Sequence, residues 1–277
     1  MLRFQNCAVK VKGVSLLAEQ AELDFPTTLE TIRSLGFSRA LAEQTNGARS
    51  SKVSISYFIE VETDPNFVTI TTLKSAAESN QVDLSNLAVQ VEVGGITGQG
   101  FLESFDAQVV ANDLVKANCT YSFFGNFSGE FSPYPAGSNP NQKNWSGLAH
   151  GWTTFLVGPN SRPPMHVQQF AYGFKANWQA NYLLTGENPT DIIMIDGEET
   201  LSAQTDESLL LPSLGTGILD FLGSEQANLS FMRLQSVVNP EGFAYSIDLS
   251  DMTITESRMN VQAGNVASTQ IQARRFF

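Results

Sequence analysis

Apolar and polar residues alternate along much of the chain, and the alternation predicts a protein built of β-strands. The clearest segment is 53–61, where every second residue is apolar. Residues 7–14 alternate in the same way. A period of two is typical of strands that bury only one face, so both segments are predicted strands. Further extended segments are predicted over 17–25, 84–93, 100–110 and 115–127. Residues 67–73 fit either a short strand or the start of a helix.

The second half of the chain shows the same order of elements with weaker alternation. Glycines at 94–100 predict a hairpin in the first half, and Asn239 to Gly242 predict its counterpart in the second. The strands of the second hairpin are predicted over 231–238 and 243–254. Other extended segments of this half are predicted over 152–157, 167–184 and 258–277. The repeated order favours a duplicated module.

The two closing segments carry this repeat most clearly. Residues 117–127 superpose without a gap on residues 267–277, so that Ala117 falls on Ala267 and Tyr121 on Ile271. Few residues are identical, and the repeat is therefore one of pattern. A duplicated domain can fill two adjacent places in a ring.

A segment rich in Gly, Pro, Ser and Asn separates the two modules. This composition supports neither a helix nor a strand ladder. We therefore predict three parts: a first domain over 1–127, a linker over 128–148 and a second domain over 149–277.

Each module contains one long connection. Residues 27–36 predict a short helix that ends at Gly36, within a connection over 27–50. Its apolar residues predict a loop that packs on another surface, and long loops in compact domains are often functional. The candidate contact residues are Leu35, Phe37, Arg39 and Leu41. The corresponding stretch over 185–207 is predicted as an acidic loop. Its acids are Asp191, Asp196, Glu198, Glu199, Asp206 and Glu207.

Charge narrows the classes of partner. The net charge is −12, with 14 acids and 9 bases over 1–127 and 13 acids and 6 bases over 149–277. Both modules are therefore acidic, which argues against a nucleic-acid grip and against anionic membrane surfaces. Two interpretations remain open, a solvated acidic surface and a surface that repels a polyanion.

Candidate catalytic chemistry is sparse. The two histidines, His150 and His166, have no metal-ligating residue at a suitable spacing and are interpreted as loop histidines. The glycines at 94–100 precede a second strand and lack the lysine of a phosphate-binding loop. The acids over 191–207 do not match a calcium-loop spacing, although a structural calcium site stays an alternative. We predict no enzyme, no cofactor and no metal site.

Targeting signals are not apparent in the sequence. The first ten residues lack the apolar core of a secretory leader, and no apolar run has the length of a membrane helix. Cys7 and Cys119 are predicted to be free and buried, with a disulfide as the alternative if their strands pair.

The segment from Ser34 to Tyr57 resembles the tail tube proteins of long-tailed bacteriophages, in which a long loop precedes a strongly alternating strand. The segments Gly100 to Phe105 and Asn112 to Phe123 resemble the closing strand pair of that family. The likeness covers most of residues 1–127 and, more weakly, 150–277. The drifted second module and the long linker depart from the general family pattern.

The resemblance implies a fold and an assembly. It implies a mainly β chain of two tandem β-sandwich or barrel-like domains, each with a short helix and a long loop. Six such domains close a ring and rings stack into a tube that conducts DNA, so three duplicated chains would make one ring. The implied partners are other copies, tape-measure and baseplate proteins, and transiting DNA that is not bound specifically. The implied location is the virion tail, after assembly in the bacterial cytoplasm.

Two other interpretations remain. A baseplate hub or a tail terminator of the same fold would form a single ring without polymerising. A two-domain β-sandwich that binds carbohydrate or a cell surface would be monomeric. In the tube interpretation, the acidic residues over 191–207 line the lumen or a loop, since an acidic lumen would not retain phosphates.

Overall fold

The structure is a computed structural model of the 277-residue chain. It describes residues 7–25, 29–32, 42–45, 50–60, 64–79, 87–110, 113–125, 127–132, 153–157, 167–182, 189–206, 229–235, 243–248, 252–260 and 268–277. Within this part the protein is mainly β with one helix, which confirms the predicted fold class.

The first half contributes nine strands and the helix. They are β1 (Val9–Val11), β2 (Val14–Ser15), β3 (Leu17–Asp24), β4 (Leu29–Ile32), β5 (Ala42–Thr45), β6 (Ser51–Phe58), α1 (Pro65–Glu78), β7 (Val89–Val93), β8 (Ile96–Val110) and β9 (Lys116–Phe123). The second half contributes seven described strands. They are β10 (Thr153–Val157), β11 (Val167–Asn181), β12 (Asp191–Asp206), β13 (Leu229–Gln235), β14 (Phe243–Asp248), β15 (Thr253–Asn260) and β16 (Ser268–Phe276).

Eight of these strands form one continuous antiparallel series, which we call the main sheet. Its order is β3-β6-β9-β8-β11-β12-β16-β15. Residues 104–108 of β8 pair with β9 on one edge and with β11 on the other, so β8 joins strands from both halves of the chain. A ribbon of β7, β1 and β2 continues from the first part of β8.

Two smaller sheets lie outside this series. Strands β10, β13 and β14 form one, and β4 and β5 form the other.

The strand order of the main sheet repeats within the chain. In the first half the order is β3-β6-β9-β8, and in the second it is β11-β12-β16-β15. In each half, the four strands lie side by side in the order first, second, fourth, third, counted along the chain. β3 begins at Leu17 and β11 at Val167, 150 positions later. The bounds of the two predicted domains stay a prediction.

Two β-bulges occur at matching places in the two halves. The register with the neighbouring strand shifts between Ala18 and Gln20 in β3, and between Val167 and Gln169 in β11. A second pair of bulges, one in β8 and one in β15, is equivalent in the same way. Because a bulge changes which face each later residue occupies, matching bulges align the two halves residue by residue. By this alignment Tyr121 is equivalent to Ala273 and not to Ile271, so the gapless superposition of the two closing segments is wrong by two positions there.

One face of the main sheet is buried. Along β6, buried residues alternate with exposed ones, as the period of two predicted. Helix α1 packs on this face, where the rings of Phe67 and Phe105 meet edge to face at 4.8 Å. Buried residues from both halves belong to one hydrophobic core.

The start of α1 is fixed by a buried polar network. Asp64 caps the helix by accepting a hydrogen bond from the Asn66 backbone N–H at 2.8 Å. The hydroxyl of Tyr57 donates to Asp64 at 2.7 Å, and the hydroxyl of Tyr121 donates to the Asn66 side chain. Burial raises the pKa of Asp64 to about 6, against the lowering effect of the hydrogen bonds that it accepts.

The end of α1 is fixed by ion pairs to the second half of the chain. Lys74 lies 3.0 Å from Glu199 of β12, whose side chain is fully buried. The hydroxyl of Tyr172 in β11 donates to the same carboxylate at 2.6 Å. Arg275 of β16 contacts Glu78 at 2.7 Å. The helix of the first half is therefore ion-paired to two strands of the second, β12 and β16, and β11 supports the first of these pairs through Tyr172.

Several predicted elements need correction. Leu29–Ile32 is a strand paired with β5, so the predicted helix over 27–36 is wrong there. This segment contains β-branched Thr and Ile, which favour strands. The segment predicted as one strand over 243–254 is divided between β14 and β15.

The hairpin predicted at the glycines is confirmed, with a tighter turn. Only Gly94 and Gly95 link β7 to β8, and both have positive φ, of 59° and 91°. This backbone conformation suits a two-residue hairpin turn and favours glycine. Both cysteines are free, and Cys119 is buried whereas Cys7 is partly buried.

Asp64 makes stability depend on pH. Its pKa lies above the ordinary 3.8, so the folded chain binds more protons between pH 4 and 6 and becomes less stable as the pH rises through that window. Relative to Asp64→Asn, the wild type should gain on the order of 3 kcal/mol as the pH falls from 7 to 4. Urea unfolding at several pH values measures this difference. Asp113→Asn, at an exposed site, is the control, and parallel curves for the wild type and Asp64→Asn would contradict the assignment.

The Lys74–Glu199 pair predicts a non-additive pair of substitutions. Lys74→Met leaves a buried carboxylate without its cation and should cost about 3 kcal/mol of unfolding free energy. Replacing both residues with Met removes both buried charges and should recover most of this loss. A double-mutant cycle in urea measures the coupling. Additive losses would show that the two charges do not interact in the folded chain.

Candidate functional site

The face of the main sheet opposite α1 is polar, and we call it the open face. Its side chains come from alternate positions of the strands, between the buried ones. Exposed members include Lys52, Ser54, Lys116, Asn118, Asp106, Gln108, Lys175, Asn177, Asp196, Thr200, Gln204, Gln270 and Arg274. Hydroxyl and amide groups separate the charges, so the face is hydrophilic without being uniformly acidic.

Bases of the first half of the open face lie beside carboxylates. Lys52 of β6 contacts Glu103 of β8 at 2.6 Å. Glu103 lies at the bulge of β8 and also accepts a hydrogen bond from the Ser122 hydroxyl. Lys116 of β9 lies 3.4 Å from Glu19 of β3.

The basic residues on the second half of the open face also lie beside carboxylates. Arg274 of β16 lies 3.6 Å from Glu198 of β12. Within β15, Arg258 contacts Glu256. These pairs are solvent-exposed, so each contributes little to stability. They instead affect the electrostatic potential of the open face, because each positive charge has a negative neighbour.

Lys175 and Asp106 form a further association across the β8–β11 junction. Partial burial raises the pKa of Asp106, and the positive charge of Lys175 acts against this rise. Their strands are adjacent, with Lys175 opposite Ser104 in the register. Every described lysine or arginine of the open face therefore has a carboxylate nearby.

A shallow depression of about 530 Å³ lies at the centre of the open face. Gly173 forms part of its floor, where a Cβ atom would lie 2.6 Å from the Thr200 hydroxyl and 3.0 Å from the Asp106 carboxylate. The lining is mainly polar and includes Glu198 and Gln272. Among the described residues, no group of three or more His, Cys, Asp or Glu side chains is arranged to hold a metal ion.

The two outer strands of the main sheet are its free edges. In the described part of the chain, β3 pairs only with β6, and β15 pairs only with β16. The outer edge of such a strand presents backbone groups that another strand can pair with. Within the described residues the main sheet is not closed on itself, and no strand pairs with these two outer edges.

The acids predicted in a loop over 185–207 lie mostly in β12, so the predicted loop is wrong. Apolar residues at alternate positions, such as Leu201 and Ala203, are buried and make the segment a strand with one buried face. Asp196 and Glu198 lie on the side of the open face, whereas Glu199 is buried beneath α1. Asp191 begins the strand and Asp206 ends it.

Other candidates lie outside the described residues. These are Glu207, His150, His166 and the predicted loop contacts Leu35, Phe37, Arg39 and Leu41. Sequence reasoning missed the paired charges of the open face, because the partners come from strands far apart in the chain. Lys52 and Glu103, for example, are separated by 51 positions.

Comparisons with known proteins give one solved structure to report. No family model matches the chain, and no curated protein matches it. The chain is similar to the Dit protein of phage SPP1, described as a paradigm of the hub adsorption apparatus in phages that infect Gram-positive bacteria. The identity is 12%, the TM-score is 0.26, and the match covers 98% of this chain and 99% of that one. A TM-score of this size does not establish a common fold.

Within the described part, no helix is long and apolar enough to span a membrane.

The paired charges predict that the open face does not retain DNA. Removing the partners of Lys52 and Arg274 with Glu103→Gln and Glu198→Gln should tighten binding of a short DNA duplex on the order of tenfold at low salt, because the freed bases can displace counterions. Fluorescence anisotropy across a salt series measures this change.

A control variant separates position from net charge. Asp113→Asn with Glu130→Gln also removes two negative charges. No ion-pair partner of either acid occurs among the described residues. Equal DNA affinity in both double variants would show that net charge alone, and not pairing on the open face, prevents binding.

Proposed function

We propose that this chain is a structural protein of a phage tail, whose copies join edge to edge into rings that stack as a DNA-conducting tube. The observation that supports this most directly is the repeated strand order of the main sheet. The sequence resemblance to tail tube proteins points to the same assembly.

The repeat makes the two free edges complementary to each other. Inside the chain, β8 of the first half pairs antiparallel with β11 of the second. β15 is the equivalent of β8, and β3 is the equivalent of β11. All seven pairings of the main sheet are antiparallel, so β15 of one copy meets β3 of the next in the same sense. Head-to-tail addition of this kind gives a ring when the rotation between copies closes, and this is the arrangement we propose.

The number of strands in the ring sets the width of its opening, and therefore the number of copies that DNA passage requires. One copy has eight strands in the series, and an eight-stranded barrel has an interior just wide enough for side chains. Three copies would supply 24 strands. At about 4.8 Å between strands and a tilt near 40°, the backbone diameter is roughly 45–50 Å. A duplex can pass through an opening of that width, so three chains giving six equivalent modules is the proposed ring.

The open face would line the channel, since α1 and the hydrophobic core occupy the other face. A polyanion in transit must not be held, because each bound phosphate slows it. Carboxylates beside the bases, among hydroxyl and amide groups, meet this requirement. The lumen we propose has balanced charges on this part of its wall, with further acids contributed by β12.

The proposed partners follow from this role. They are other copies of the chain, the tape-measure protein inside the tube and baseplate components at its end. The proposed location is the virion tail, with assembly in the host cytoplasm. We propose no enzymatic activity.

Negative-stain electron microscopy across a concentration series tests the proposed function. We expect rings of three chains, and stacked rings or hollow tubes as concentration rises. Native mass spectrometry of the smallest closed species checks the number of chains.

Other outcomes separate the alternatives. Single rings that never stack would replace the tube with a hub or terminator of the same fold. Monomers at every concentration, together with retention on a glycan array, would contradict assembly and favour a carbohydrate-binding module.

A further inference from the structure

We infer that neighbouring copies pair β15 with β3 in one fixed register, which places Arg258 of one copy opposite Asp24 of the next. This inference rests on the proposed ring and adds the residues that join its subunits. It follows from three features of the described structure: the internal junction between β8 and β11, the matching bulges and the charges on the free edges.

The internal junction supplies the template. Seven consecutive residue pairs join β11 to β8, from Gln169 opposite Val110 to Lys175 opposite Ser104. Within this ladder, Gly173 lies directly opposite Asp106. Both positions belong to the open face, since their neighbours Tyr172 and Ala107 are buried. A copy added at the outer edges would repeat this ladder with the equivalent residues.

The bulges in the first strand of each half identify the equivalent of Gly173. In β11, Gln169 is the first paired residue after the bulge, and in β3 this residue is Gln20. Gly173 lies four positions after Gln169, and Asp24 lies four positions after Gln20. Asp24 is exposed at the end of β3. It therefore occupies on the outer edge the place that Gly173 occupies inside the chain.

The bulges in the third strand of each half identify the equivalent of Asp106. The register shifts between Leu102 and Ser104 in β8, and between Ile254 and Glu256 in β15. Asp106 lies two positions after Ser104, and Arg258 lies two positions after Glu256. The side chain of Arg258 is 76% exposed.

Superposing the outer edges on the template brings opposite charges together. Asp24 and Arg258 fall directly opposite each other on the open face, and opposite charges in such a pair stabilise the ladder. Next to them, Glu22 falls opposite the polar Asn260. Leu23, on the core face, already packs against the hydrophobic core and would be covered by the incoming strand. Charge and apolar burial thus favour the same register.

Arg258 can hold two carboxylates at once. In the isolated chain it contacts Glu256 of its own strand. A guanidinium group has five N–H donors, so an additional carboxylate from a neighbouring copy does not require the first contact to break. The internal junction has Gly173 at this place, where a Cβ atom would lie 2.6 Å from the Thr200 hydroxyl, and so has no charge pair there. Between copies, the charge pair sets direction and register.

Disulfide trapping tests the register in assembled rings. In a Cys7→Ser background, chains carrying Asp24→Cys are mixed with chains carrying Arg258→Cys, assembled and oxidised. Directly opposite Cα atoms in an antiparallel ladder are about 4.5–5.5 Å apart, which suits a disulfide. We expect covalent dimers in the mixture and none from either variant alone.

The register control replaces Arg258→Cys with Asn260→Cys. This residue lies two positions along the same face, where the diagonal separation of about 7–8 Å disfavours a disulfide. Rings seen by electron microscopy without a 24–258 cross-link, or with a stronger 24–260 one, would overturn the register and leave the proposed function standing. Dimers from Asp24→Cys alone would show that copies meet two-fold rather than head to tail. Absence of any ring would overturn both proposals.

Charge reversal supplies an independent measurement. Asp24→Arg or Arg258→Asp alone places like charges opposite each other at every contact of a ring. We expect the concentration for half-assembly to rise about tenfold, and the double variant to recover to within about twofold of the wild type. Lys10→Glu, which disrupts the Lys10–Glu92 pair in the β1–β7 ribbon, is the control and should not shift assembly. Single variants that assemble like the wild type would rule out the Asp24–Arg258 contact.

Discussion

The antiparallel pairing of β8 with β11 is the contact on which the rest of the structure depends. It joins two four-stranded series with the same strand order into one sheet. The two outermost strands, β3 and β15, are therefore the equivalents of the two strands at the junction, β11 and β8. Because the order repeats, each outer edge has the strand that a further four-stranded series would need for the same pairing. In the proposed ring, these two edges would pair between neighbouring copies.

Helix α1 makes the two faces of that sheet unequal. Its apolar residues cover the buried face, while Asp64 fixes its start and Lys74 and Glu78 connect it to strands of the second half. The helix therefore contacts strands from both halves of the sheet. Among the described residues no helix covers the opposite face, and in the proposed ring its polar residues would face the lumen.

The local alternation of apolar and polar residues predicted the strands. Features that depend on the pairing of strands far apart in the chain could not be predicted from it. Alternation identified the strand that ends at Phe58, and the glycines identified the hairpin at Gly94, because each depends on residues close in sequence. The acidic composition of 185–207 suggested a loop, yet Leu201 and Ala203 at alternate positions bury one face of a strand. Most ion pairs of the open face had no sequence signal, since partners such as Lys52 and Glu103 meet only through the strand order.

The duplicated bulges explain how two diverged halves keep one geometry. A slip of one residue in a strand turns its apolar residues to the wrong face, so register is constrained wherever one face is buried. The bulges in β3 and β11 both lie near the strand start, at the third residue of β3 and the second of β11, although the residues around them differ. β11 joins the neighbouring series within the chain, and β3 would do so between copies in the proposed ring. Selection for a common docking geometry would preserve the bulge in both halves while leaving the remaining sequence free to drift.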